Sequence, residues 1–376
     1  MNLVCRLSTL VALSVCLAAC SQPSPAPVKP QFTPGTTVDF EFETQGNVLS
    51  GVFDIPDQTP KALMLFVHGY GETDVRGWQM YAELRRRFNQ IGIATATWDK
   101  PGLGRSQGSF DINQPVADSA REVVDAAQYL RQLNAPGAHY IGIWGVSRAG
   151  WIAPIALAQD GNLKFWISVS GVTAEDNFTY LLLSNLPYEG GTPEQALHLA
   201  AEWRAGCAVF RNGGSYQEYQ AVTQTLRANP YIKRMRGEWP DLLQYSAQQA
   251  SCSEGVCANV DDDMCSYIHI KDFDGMLSSL NVDVLAMFGE KDLNVDWRKT
   301  IHFYQQTIGQ NPQASLAIKT FPDADHNLNV AQTGSIKEMQ TMQDPHKSGG
   351  YYEQQVEWLK THVLSVKRQT LQPIHP

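Results

Sequence analysis

From about residue 37 onward, apolar residues fall in two rhythms. VDFEFET (38–44) and VLSGVFDI (48–55) alternate polar with apolar around Gln45-Gly46-Asn47, the pattern of a hairpin with one solvated face. ALMLFV (62–67), IATATW (93–98), YIGIWG (140–145), FWISVSG (165–171), VDVLAMFG (282–289) and ASLAIKTF (314–321) are instead unbroken apolar runs, as expected of strands buried on both faces. Helical spacing separates them. It places Trp78, Tyr81, Leu84 and Phe88 on one face, and Ala120, Val123, Val124, Ala127 and Leu130 on another. Further helices are expected over 148–159, near 296–308 and near 350–366. The alternation predicts an α/β protein: a mostly parallel central sheet flanked by helices.

Residues 172–280 break this rhythm and are too long for a plain connection, so they need structure of their own. We read them as a mainly helical cap over the carboxyl ends of the strands, where open α/β sheets place ligands. Its aromatics include Tyr180, Trp203, Phe210, Tyr231, Trp239, Tyr245 and Tyr267, more than half of which are expected to fill the cap's own core. The core domain is then 36–171 with 281–370. The chain has 376 residues, 43% of them hydrophobic, enough for a large core, and no period of 20 to 50 residues marks a repeat protein. Its net charge is −9, with no Lys/Arg stripe to neutralise a phosphate backbone, so nucleic acid is not an expected partner.

The amino terminus reads as an address. Arg6 precedes an apolar run shorter than a membrane span, and Leu17-Ala18-Ala19 leads into Cys20. This resembles the bacterial lipoprotein signal. The resemblance implies removal of residues 1–19, lipidation of Cys20 and a membrane tether; Ser21 after the Cys suggests the outer membrane, facing the periplasm. Residues 20–35 hold five prolines and one charge, a semi-rigid spacer. Cys207, Cys252, Cys257 and Cys265 remain, and in an oxidising compartment they most simply form two disulfides, with three connectivities open. Zinc held by Cys252, Cys257, Cys265 and His269 is the weaker alternative, because the spacing is irregular and no C-x-x-C occurs.

The chemistry is concentrated after the strands. Gly145-Val146-Ser147-Arg148-Ala149-Gly150 lies between strand and helix, where a sharp turn would expose a serine hydroxyl beside a helix amino terminus. Ala149 stands where the G-x-S-x-G pattern has its second glycine. A serine needs a base, and the base an orienting carboxylate. Asp292 follows strand 282–289 and His326 follows strand 314–321, giving the order Ser, Asp, His; Asp296 and Asp325 compete for the acid's place. The Tyr70 and Arg148 amides form the natural oxyanion pair. His68, at a strand end, is expected to prop its loop. Gly102-Leu103-Gly104 fails as a dinucleotide fingerprint because Gln107 replaces the third glycine, and neither cofactor nor metal is implied.

GVSRAGWIAPIAL (145–157), DKPGLGRSQG (99–108), FVHGYGE (66–72), GEKDLNV (289–295) and FPDADHNL (321–328) resemble the α/β-hydrolases, specifically the serine aminopeptidase-like and dienelactone-hydrolase-like group of esterases and peptidases. The resemblance implies an α/β-hydrolase fold with Ser147 as nucleophile, His326 as base, Asp292 as orienting acid and Tyr70 and Arg148 as backbone donors. The expected activity is hydrolysis of carboxylic esters, and Trp144, Tyr70 and Trp151 near the nucleophile favour an apolar acyl group. A short-peptide substrate is the rival. It would need a cap carboxylate for the amine, with Glu175, Asp176 and Glu202 as candidates. A non-catalytic envelope binding protein is the alternative of another class.

Overall fold

The computed structural model describes residues 30–365 apart from 113, 174–176, 237–238, 251, 254–255 and 258–269. The signal segment, Cys20, Glu175, Asp176, Cys265, Tyr267 and His269 all lie outside the described residues.

The unbroken apolar runs form the interior of one eight-stranded sheet. Its strands are β1 (Thr37–Thr44), β2 (Asn47–Asp54), β3 (Ala62–Val67), β4 (Ile93–Trp98), β5 (Ile141–Val146) and β6 (Leu163–Val169), joined later by β9 (Asp283–Gly289) and β10 (Ser315–Phe321). Two-residue strands β7 (Cys252–Ser253) and β8 (Val256–Cys257) pair separately inside the insertion. The order in the main sheet is β1-β2-β4-β3-β5-β6-β9-β10. The β1–β2 hairpin and the β2–β4 pair are antiparallel, and every other pair is parallel. Parallel register aligns the strand ends: Val67 faces Gly145, Val146 faces Val169, Val169 faces Met287, and Gly289 faces Phe321. The loops after these strands therefore emerge along one edge.

Helices cover both faces. α2 (Val116–Gln132) and α3 (Ala149–Gln159) pack on one side with α10 (Phe273–Ser278) and α11 (Trp297–Gln306), while α1 (Ala82–Gln90) and α13 (Tyr351–Leu359), which follows the short α12 (Ile336–Thr341), pack on the other. α1 starts later than the apolar spacing predicts. Gln79 and Tyr81 adopt left-handed backbone, so helical geometry begins only at Ala82 and Trp78 is left 57% exposed. The Tyr81 ring still turns inward, 4.7 Å from that of Trp144.

The insertion is mainly helical, with α4 (Asn177–Asn185), α5 (Pro193–Arg211), α6 (Tyr216–Val222), α7 (Gln224–Ala228), α8 (Pro230–Arg236) and α9 (Leu242–Ala250). It has its own core, in which Phe178, Trp203, Phe210, Tyr219, Tyr231 and Tyr245 are buried together. Most of its described aromatics thus stabilise the insertion itself. Capping boxes at Thr192 and Ser215 fix the starts of α5 and α6. Cys207 is buried in this core. Cys252 and Cys257 are register partners across β7–β8.

Candidate active site

The turn after β5 is shaped by steric exclusion. Ser147 has φ of 54°, a left-handed conformation costing of order 1–3 kcal/mol for a residue with a side chain. A methyl added at Gly145 would lie 2.8 Å from the Ala149 methyl, and one at Gly150 would lie 2.8 Å from the Val172 amide nitrogen. The turn therefore has room for one methyl across positions 145 and 149, and here Ala149 supplies it. The glycine at 150 lets α3 approach the end of β6. Ser147 N–H donates to Val169 O (2.9 Å), and the Gly150 amide donates back to Ser147 O (2.7 Å).

Two neighbouring loops bring an acid and an imidazole together. His326 Nδ1 lies 2.7 Å from Asp292 Oδ2, with both residues buried. Asp292 Oδ1 accepts from the amides of Asn294 (2.8 Å) and Val295 (2.9 Å), so both carboxylate oxygens are engaged. Burial pulls the His326 imidazole down, but the Asp292 charge and hydrogen bond, together with Asp325, outweigh it and leave its pKa above 6.5. Ser170, next to the residue that anchors Ser147, donates to His326 O (2.7 Å), so the serine turn and the histidine loop share the end of β6. The two competing acids are occupied elsewhere. Asp296 caps α11 by accepting from Lys299 N, and Asp325 Oδ1 accepts from Asn327 N and Asn329 N.

The third component is the loop 68–71. His68 Nε2 lies 2.7 Å from Trp98 O, and burial next to the Lys100 charge brings its pKa down to about 3, so the ring is neutral and braces the loop. Nothing in the sequence pattern assigns a role to Lys100. Its Nζ donates to both Gly69 O and Gly71 O at 2.7 Å. In a trans peptide the N–H points opposite the C=O. Holding Gly69 O thus turns the Tyr70 N–H away from the ammonium. A methyl added at Gly69 would sit 3.4 Å from Ser147 Cβ, so this loop borders the serine. The Arg148 side chain is buried and donates to Ser119 Oγ (3.1 Å) and Gln114 O, which anchors the residue whose amide follows Ser147.

Several sequence expectations need correction. Trp144 does not line a pocket: it is buried against Phe66 and Tyr81, and its indole N–H donates to Gln355 (2.8 Å). A residue on the last turns of a doubly covered strand faces a helix layer, not the strand's mouth. Trp151 is half-buried, with its N–H on Thr173 O (2.7 Å). Tyr70 is 58% exposed. Glu202 is not available for a substrate amine, because it accepts from the Thr225 and Leu226 amides at the start of α7 and pairs with His198 (3.2 Å). Gly102 and Gly104 wrap their turn around Phe110 and Asp99, with no room for a methyl at either. Among the described residues, no cluster of three or more His, Cys, Asp or Glu side chains is arranged to hold a metal ion.

Comparison with known proteins agrees with this architecture. Residues 58–183 match the family model of serine aminopeptidases, S33. A polyketide transferase from Penicillium crustosum is 29% identical over 27% of this chain, and an acyltransferase from Aspergillus calidoustus is 30% identical over 31% of it. The matched stretches span only 33% and 44% of those two proteins. Among solved structures, DcsB in complex with its substrate analogue aligns over 88% of this chain and all of its own, with TM-score 0.53 and 15% identity. An esterase from Pyrococcus furiosus, Pf2001, aligns over 90% of this chain and 99% of its own, with TM-score 0.46 and 14% identity. Strand order and the likeness to DcsB converge on the architecture: this chain carries the α/β-hydrolase fold.

Proposed function

We propose that the chain is a serine hydrolase that cleaves carboxylic esters through an acyl-enzyme on Ser147. The observation that carries this reading is the Asp292–His326 pair, 2.7 Å apart, at the same sheet edge as the strained Ser147 turn. In this mechanism His326 Nε2 takes the Ser147 proton as Oγ attacks the acyl carbon, and Asp292 stabilises the resulting imidazolium. The Tyr70 and Arg148 amides hold the oxyanion; Lys100 supports the first of them by fixing the opposite end of its peptide. His326 then returns the proton to the leaving alcohol, water attacks the acyl-enzyme by the same base, and the acid departs. No cofactor enters the sequence of steps.

Two observations keep related outcomes in play. The curated relatives are named as acyl-transferring proteins, and an alcohol replacing water in the second half-reaction would give transfer from the same intermediate. The matching family model is one of aminopeptidases, although the engagement of Glu202 removes one candidate amine-binding carboxylate. The test is labelling with a fluorophosphonate followed by peptide mapping, with turnover compared on p-nitrophenyl butyrate, an amino-acid anilide, and the ester with an added acceptor alcohol. We expect the adduct on Ser147 and ester turnover at least ten times that of the anilide. An adduct elsewhere, or none alongside no turnover on any of them, returns the chain to a binding role.

The tether is a separate proposal resting on Leu17-Ala18-Ala19-Cys20: lipidation of Cys20 holds the enzyme at the bacterial outer membrane, facing the periplasm. Labelled palmitate should enter the protein and be lost in Cys20→Ser. Equal incorporation in both chains would rule it out.

A further inference from the structure

The loop that carries the acid is held from both sides. On its inner side, the amides of Asn294 and Val295 converge on Asp292 Oδ1 at 2.8 and 2.9 Å. On its outer side, three successive carbonyls are each gripped by the first helix of the insertion. Tyr180 Oη donates to Asp292 O (2.8 Å), Asn185 Nδ2 to Leu293 O (2.8 Å), and Asn177 Nδ2 to Asn294 O (2.7 Å). Leu293 C=O and Asn294 N–H belong to one peptide plane, and Asn294 C=O and Val295 N–H to the next. A trans peptide points these groups in opposite directions. Each plane is therefore clamped at both ends, with its N–H on the carboxylate and its C=O on α4. Asn185 is itself fixed, because its Oδ1 accepts from Ile336 N (2.8 Å), on the segment that follows the histidine loop.

We propose that α4 is a positioning element for Asp292: through the peptides 293–294 and 294–295, Asn185 and Asn177 aim two N–H donors at Oδ1 and so dedicate Oδ2 to His326, while Tyr180 fixes the acid's own carbonyl. The insertion is then part of the triad's support as well as a cover. This inference rests on the serine-hydrolase reading and adds to it a dependence of the acid on cap residues that never touch substrate. None of the three is a catalytic residue; all act through Asp292.

The mechanism makes a directional demand. Asp292 raises the pKa of His326, and Asp325 adds to this. A carboxylate that loses its fixed donors can rotate away from Nδ1 and hold the imidazolium less well. The acidic limb of activity, set by deprotonation of His326, then moves to lower pH as the maximal rate falls. A helix that merely walls the pocket would instead change KM.

The experiment uses the full chain with the double substitution Asn177→Ala/Tyr180→Phe, which removes two outer bonds and leaves the buried Asn185 in place. We expect kcat on p-nitrophenyl butyrate to fall about 10-fold with KM within about twofold. The acidic limb should shift to lower pH. The downfield proton resonance of His326 Nδ1–H should move upfield or broaden, and Asn177→Gln/Tyr180 should recover most of the rate. Wild-type kcat, limb and resonance in the double variant would overturn the clamp, as would a rise in KM alone. The resonance needs no turnover. It therefore separates this failure from failure of the hydrolase reading, which would appear as a native chain that neither reacts with fluorophosphonate nor cleaves any ester.

Discussion

Ser147→Ala should lower kcat on p-nitrophenyl butyrate by about 10⁴- to 10⁶-fold and abolish fluorophosphonate labelling, with thermal stability unchanged to within about 1 kcal/mol. The size follows from the chemistry: without the hydroxyl no acyl-enzyme forms, and only the oxyanion donors and His326 acting on water remain. The stability side follows from the turn. Serine and alanine pay the same backbone strain at φ of 54°, and Ser147 is only half-buried. A variant that keeps more than a hundredth of the native rate would remove Ser147 from its assigned role.

Gly289→Ala should cost both stability and rate at a distance from the nucleophile. A methyl at this position would lie 2.3 Å from both Ala324 O and Asp325 O, main-chain atoms that cannot swing aside. The acid and histidine loops are bound to one another here. Glu290 N donates to Phe321 O and Lys291 N to Ala324 O, both at 2.9 Å. Accommodating the methyl means parting these strand ends by about 1 Å, which also parts Asp292 from His326. We expect a destabilisation of about 3 kcal/mol from overpacking and a fall in kcat/KM of about 100-fold. Gly161→Ala, where nothing lies within 4 Å of the added methyl, is the control and should leave activity at the native level. Thermal unfolding and ester turnover on both variants decide the matter; native behaviour of Gly289→Ala would mean the two loops do not need this close approach.

How much of this was legible beforehand depended on the range of the interaction. The buried strands were readable because burial on both faces leaves an uninterrupted apolar run; ALMLFV became β3 with every position buried. The order Ser, Asp, His was readable because each residue follows such a run. Trp78 and Trp144 were misread for a shared reason, that periodicity says a side chain is apolar but not which layer it meets. The left-handed residues at Gln79 and Tyr81 interrupt α1 without a glycine or proline to announce them. Lys100, Asn177, Tyr180 and Asn185 were missed because they act on main-chain carbonyls across 29 to 117 residues of sequence, and a carbonyl is the same at every position. Glu202 stands as a candidate in the sequence because a helix-capping carboxylate and a ligand-binding one look alike until the helix is placed.

The shared space at positions 145 and 149 bears on how such serine turns are recognised in a sequence. What the turn forbids is a second methyl, irrespective of which of the two sites carries the first. A search that insists on glycine two places after the serine therefore tests a spelling, not the volume available, and will overlook chains built like this one.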